Sequence, residues 1–271
     1  MRVRPVAGIV VRQLYLMRGS PARVLPLFAW VAIDIVLWGF ISRYLNSFTS
    51  SNGARVDFIP QLLGAVLFWD FFTRVMLGIT TAFFEDVWSR NFLNLFASPL
   101  SIAEYVTGLV VTSILTSTIG LIVMLVLATA VFGLPLFAIG VKLIPLLLVL
   151  FVFGIALGVM ASAMVLRFGP ASEWLVWPIP ALLSPFAGVF YPLSTLPDWM
   201  QWVGRILPPS YVFEALRAMF ANQPLGPGGS QLLAAALAVL QVALAGWVFA
   251  RVFRQAVRSG LLARYSAESV S

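Results

Sequence analysis

Apolar residues run through this chain in blocks far longer than the core of a soluble domain needs, and short polar segments separate them. A helix crosses a bilayer with about 20 consecutive apolar residues. The blocks predict six crossings, over 24–44, 58–84, a third following Glu104, 143–166, a fifth beginning near Glu173, and 232–250. Ser101 and Glu104 have capping-box spacing and mark the third helix start. No charge occurs from Tyr105 to Val141, too long a run for one crossing, and Phe132-Gly133-Leu134-Pro135 supplies the break. The polar stretch 46–57 reads as a loop.

The fifth crossing contains Pro178, Pro180, Pro185 and Pro192, each lacking a backbone donor, so it is expected to be broken or bent. Residues 195–222 follow as two short amphipathic candidates divided by Pro208 and Pro209, neither long enough to cross. At the other end of the chain, residues 1–23 carry five arginines and no acid, and lack the apolar core and cleavage site of a signal peptide. Ile9, Val10, Leu14 and Met17 recur there at helical spacing while Arg12 and Arg18 fall on other faces, the pattern of a helix lying in the membrane interface. The fold class is therefore an all-α polytopic membrane protein, a single domain over residues 1–271.

Composition agrees, with 61% of the 271 residues apolar and 10% charged, a mean hydropathy of +0.99, against about 25% charged in soluble domains. There is no cysteine and no histidine, which excludes disulfide frameworks, thiolate nucleophiles, imidazole bases and the commonest zinc sites. The net charge of +7 comes from arginines beside apolar spans, so anionic lipid headgroups suit it better than nucleic acid. Six crossings put both termini on one side, where eleven basic residues collect against five on the other. The positive-inside rule then makes that side the cytoplasm.

Asp34, Asp70 and Arg74 are left inside spans, where ionisable groups are costly. Asp70 and Arg74 stand at i and i+4 and can neutralise one another, and Asp34 is a possible partner for Arg74 across helices. With no histidine or second acidic cluster to form a relay, packing or gating by this network is the stronger reading. Phe68, Trp69, Phe71 and Phe72 surround Asp70 and either pack the core and face lipid or border a passage for an amphiphile. Gly154 and Gly158 form a small-xxx-small stripe continued by Ser162, suited to close helix contact within the chain or between copies.

The acidic residues are scattered, so no intramembrane hydrolase or transferase site is expected. The one lysine, Lys142, is not preceded by a phosphate-binding glycine loop, so ATP-driven work would need another polypeptide. The segment 85–100 mixes charge with aromatics: Trp88, Phe92, Leu95 and Phe96 repeat at helical spacing before Pro99, giving a short amphipathic helix suited to a partner's groove or to the membrane interface.

With Ser98-Pro99-Leu100 closing that segment, and with 184–199 and 207–217 following the fifth crossing, the sequence resembles the permease subunits of ABC-2 type transporters over nearly its whole length. The resemblance implies six spans, an N-terminal interface helix (1–23), a cytoplasmic coupling helix (85–100) and re-entrant helices (195–222) before the last span. It implies a homodimer in the cell membrane, paired with separate ABC ATPase subunits that hold ATP and Mg, and exporting a glycolipid, polysaccharide or hydrophobic drug. On this basis Glu85, Asp86, Trp88, Arg90, Phe92, Leu95, Phe96 and Pro99 are the coupling candidates. Asp34, Phe68, Trp69, Asp70, Phe72 and Arg74 are the pathway or gate candidates, and Phe190, Tyr191, Pro192, Trp199 and Tyr211 the exit-gate candidates. An ion-coupled carrier without an ATPase, or a membrane scaffold, are the rival readings; the two halves of the sequence show no clear inverted repeat to favour a carrier.

Overall fold

The computed structural model describes residues 2–51, 59–89, 95, 98–134, 140–221, 223–224 and 228–260. Every regular element among them is helical. Among the described residues, four helical stretches are long and apolar enough to cross a membrane, Gln61–Trp88, Ile102–Phe132, Gly140–Phe168 and Gly229–Arg258. Their outer faces expose Ile119, Ile122 and Val126, and further along the chain Val239, Leu240 and Leu244. Water would not tolerate so continuous an apolar surface, and a lipid solvent explains it.

Helix α1 (Val3–Arg18) ends at Gly19 and leads into α2 (Pro21–Ser51). Of the loop expected over 46–57, residues 46–51 instead continue α2 and 52–57 lie outside the described residues; Ser47 Oγ donates to Tyr44 O at 2.6 Å, satisfying its hydroxyl without leaving the helix. After a π-type turn at Ile59–Leu63, α3 (Gly64–Trp88) runs unbroken to its cap at Ser89. Helix α4 (Ile102–Phe132) starts on the expected capping box, with Glu104 N donating to Ser101 Oγ at 3.3 Å and Ser101 N to Glu104 Oε2 at 3.0 Å. It stops at Gly133, whose φ of +67° is open to glycine at little cost.

Helix α5 (Ile144–Phe168) packs along α3, and the small-residue stripe makes the contact within the chain. A Cβ on Gly154 would lie 2.9 Å from Val75 Cβ, and one on Gly158 would lie 2.9 Å from the Met76 carbonyl oxygen. Thr80 Oγ1 donates to Met76 O at 2.8 Å at this same contact, and Ser162 Oγ to Gly158 O at 2.8 Å. On the other side of α3, Ser113 Oγ of α4 donates to Val75 O at 2.9 Å, over Gly78. Helix α3 is thus the central strut, with α4 antiparallel and α5 parallel to it.

The stretch expected as a fifth crossing is broken, as its prolines dictate: a 3-10 segment, Pro170–Leu175, is followed by α6 (Ile179–Ala187), and neither reaches the roughly 30 Å of a hydrocarbon core by itself. Two short helices follow, α7 (Asp198–Ile206) and α8 (Pro208–Phe220), divided at Pro208 as expected. Helix α9 (Gly228–Arg258) returns along α5. Its last turns meet the end of α5, where Arg167 Nη1 donates to Gln255 Oε1 at 3.3 Å.

Replacing Gly158 with leucine is expected to force α5 off α3 and destabilise the fold by about 2 kcal/mol or more. Gly246→Ala, which meets nothing within 4 Å, should be neutral or slightly stabilising. Thermal unfolding in mild detergent compares the two; equal midpoints would reject the close-contact account.

Candidate functional site

One end of the bundle gathers α1, the end of α3, the start of α4 and the ends of α5 and α9. Glu85, Asp86 and Trp88 lie in the last turn of α3 rather than in a separate coupling helix, because no breaker separates Phe84 from Glu85 and Ser89 N still donates to Glu85 O at 2.9 Å. Trp88 is exposed, Glu85 half-buried and Asp86 fully buried. Arg90, Phe92 and Phe96 lie outside the described residues. Leu95 packs half-buried against the cluster containing Ile9, Phe83 and Tyr105, and Pro99 is exposed.

Asp86 is held from two sides. Arg12 Nη1 of α1 donates to Asp86 Oδ2 at 3.0 Å, and Nη2 donates to Oδ1. The buried Tyr105 hydroxyl of α4 donates to Oδ2 at 2.8 Å. Three donors satisfy a carboxylate that burial alone would penalise heavily. The bond to Asp86 in turn raises the Arg12 guanidinium pKa above its ordinary value. A raised basic pKa stabilises the fold at all pH values below it, so this contribution persists until strong alkali.

A second clasp is made by Arg2, which caps the start of α1, ten positions before Arg12. Arg2 N and Nε donate to Glu104 Oε1 at 3.0 and 3.1 Å, Nη2 donates to Oε2 at 3.2 Å, and Nη2 also donates to the Pro99 carbonyl. The Glu104 bond raises the Arg2 pKa as well. Between the clasps, Ile9 is seated on Gly108 of α4, where a Cβ would come within 2.6 Å of it. Helix α1 therefore grips both flanks of the segment 89–100: Asp86 before it, and Pro99 and Glu104 at its far end.

Within the bundle, Arg74 Nε donates to Asp70 Oδ2 at 2.6 Å, both side chains being largely buried, so the expected i, i+4 pair forms. The cross-helix pair of Arg74 with Asp34 does not: Asp34 on α2 feels both charges, but Arg74 is already turned along its own helix to Asp70. Phe68 and Phe72 are fully buried, with Phe72 stacked on Phe153 at 5.3 Å. Trp69 is half-buried and leans on Phe72 and on Phe213 of α8.

At the opposite end, Phe190 stacks on Trp38 of α2 at 4.8 Å. The Tyr191 hydroxyl donates to Pro185 O at 3.0 Å, and Pro192 opens the 3-10 turn Leu193–Thr195. Trp199 is exposed, with its edge toward Phe186, and the Tyr211 hydroxyl donates to Arg205 O at 2.8 Å. Sequence reasoning did not assign the residues that hold this region in place. Arg217 Nη1 donates to the Gly188 carbonyl at 2.7 Å, at a turn with φ of +60°, and Glu214 Oε1 accepts from Leu193 N at 2.8 Å.

It also missed Arg2, Arg12 and Tyr105. The available signal was Gln13, a polar residue next to Arg12 on the face shared with Ile9, which marks that face as meeting protein; Gln13 is buried.

A helical bundle whose long apolar helices carry lipid-compatible faces around a buried ion pair is that of a multi-pass membrane protein. The family described as ABC-2 type transporter matches residues 10–221. The chain belongs to this family and is the permease subunit of an ABC-type transporter. Among curated proteins none matches it.

Arg12→Ala leaves a buried carboxylate short of its charged partner and should cost about 3 kcal/mol, much of it recovered when Asp86→Asn is added. A double-mutant cycle read by unfolding in detergent measures the coupling; additive effects would show that the clasp contributes nothing.

Proposed function

We propose that the chain works as a homodimeric permease driven by two copies of a separate cytoplasmic ABC ATPase, exporting an amphiphilic molecule such as a glycolipid, polysaccharide or hydrophobic drug. Family membership supports the transport role, and the observation that carries the coupling route is the double clasp of α1 on both flanks of 89–100. An element that must receive a push from outside needs fixed ends, and the two ion pairs supply them. Trp88 offers an exposed aromatic anchor at the entry to the segment, and Phe92 and Phe96 follow it in the sequence at intervals of four. ATP and Mg would be held by the partner alone.

In this reading both termini are cytoplasmic, the basic end of the bundle faces the ATPase, and residues 195–222 re-enter the outer leaflet as an exit gate built on Phe190, Tyr191, Pro192, Trp199 and Tyr211. Asp34, Trp69, Asp70 and Arg74 border the path at the dimer axis, backed by Phe68 and Phe72. The Arg74–Asp70 pair supports a gate more than an ion-coupled carrier, because a carboxylate engaged by arginine is a poor proton relay.

Trp88→Ala combined with Phe92→Ala should release the ATPase or uncouple its hydrolysis from transport. Co-purification and substrate-stimulated ATPase activity in proteoliposomes read the result, and an unchanged complex with unchanged transport would reject these anchors. Cysteine placed at Trp199 should react with an impermeant reagent from outside the cell; labelling from the cytoplasmic side alone would overturn the exit-gate placement.

A further inference from the structure

The last turns of α9 form a basic recess that the transport reading does not use. Arg251, Arg254 and Arg258 line a cavity of about 520 Å³ together with Gln255 and Ser259. Arg167, at the end of α5, lies beside the recess and donates to its Gln255. All four arginines are exposed, and among the described residues none has a carboxylate partner, unlike Arg2, Arg12, Arg74 and Arg217. Guanidinium groups crowded at one helix end repel one another, and an anion between them relieves that repulsion.

The recess continues into an apolar track. Leu240, Leu244, Trp247, Arg251, Arg254 and Arg258 follow one another at spacings of four and three, one stripe along α9, and the first three are exposed. Arg251 lies over the Trp247 ring at 4.2 Å, an aromatic-cation pair of the kind found at the level of lipid headgroups. A ligand with a phosphate at one end and hydrocarbon at the other matches charge and track together. A soluble anion would use the arginines and leave the track empty, and an acidic protein surface would have to seat itself against a face that continues into the hydrocarbon layer.

We infer that this recess is a binding site for an anionic phospholipid of the leaflet at the basic end of the bundle. Its phosphate is held by Arg251, Arg254 and Arg258, with Arg167 adding positive charge beside them, and one acyl chain lies along Trp247, Leu244 and Leu240. The bound lipid would join the ends of α5 and α9, whose only side-chain hydrogen bond among the described residues at that point is the one between Arg167 and Gln255.

The test uses the delipidated full chain in mild detergent, titrated with dioctanoylphosphatidylglycerol, dioctanoylphosphatidylcholine or inorganic phosphate and read by native mass spectrometry. Phosphatidylglycerol is expected to bind well above phosphatidylcholine, with each arginine of the triad replaced by glutamine weakening it by about fivefold. R251K/R254K/R258K keeps the charge and should retain most of the affinity, and an unchanged unfolding midpoint for the glutamine variants shows that the fold is intact. Equal binding of the two lipids, or no loss in the glutamine variants, would overturn the site. Competition by inorganic phosphate at similar concentration would show a soluble-anion site instead. Loss of ATPase co-purification with lipid binding unchanged would make it a protein-docking surface.

Discussion

The carboxylate of Asp86 is removed from water at the meeting point of three helices, and the geometry of the whole basic end depends on how that charge is satisfied. An unpaired carboxylate there would cost several kcal/mol. Arginine from one helix and tyrosine from another remove that cost only if both helices are docked, so burial of one charge fixes the positions of α1 and α4 relative to α3. The Arg2–Glu104 clasp adds to this from an exposed position, where an ion pair is screened and contributes less. The basic end is thus held by one fully buried carboxylate and one exposed ion pair.

The opposite end is held differently. Its short helices are joined by hydroxyl and guanidinium donors to main-chain carbonyls, as at Tyr191 to Pro185, Tyr211 to Arg205 and Arg217 to Gly188, and by stacked rings such as Trp38 on Phe190. Such contacts satisfy the carbonyls that proline-rich sequence leaves without helical donors. They tolerate rearrangement better than the Asp86 site does, because the hydroxyl contacts carry no charge and Arg217 keeps Glu214 as an ionic partner at 3.0 Å when its carbonyl contact opens. Between the two ends, aromatic packing around Phe72 closes the interior.

Local signals in the sequence located what local physics decides. The capping box at Ser101, the glycine stop at Gly133, the proline division at Pro208 and the close contact of Gly154 and Gly158 each follow from a few neighbouring residues, and each is present. Helix ends without a breaker were misjudged, as at 46–51 and at Glu85, because polar residues outside the hydrocarbon can continue a helix at little cost. The coupling candidates were only half legible: Asp86 was singled out for a partner protein, yet its buried oxygens are committed to Arg12 and Tyr105. Arg12 lies 74 positions from Asp86, and no periodicity within either helix reveals that pairing.

The glycine contact between α5 and α3 has a mechanical side. Where two helices touch backbone to backbone there is no layer of pliable side chains to shear, so the pair bends and tilts as one beam. Helix α3, with 25 residues, is about 37 Å long at 1.5 Å per residue. A small rotation imposed at Trp88 therefore becomes a displacement of several ångströms near Gly64. The glycine seam halfway along α3 thus fixes how far a displacement at one of its ends would be carried to the other.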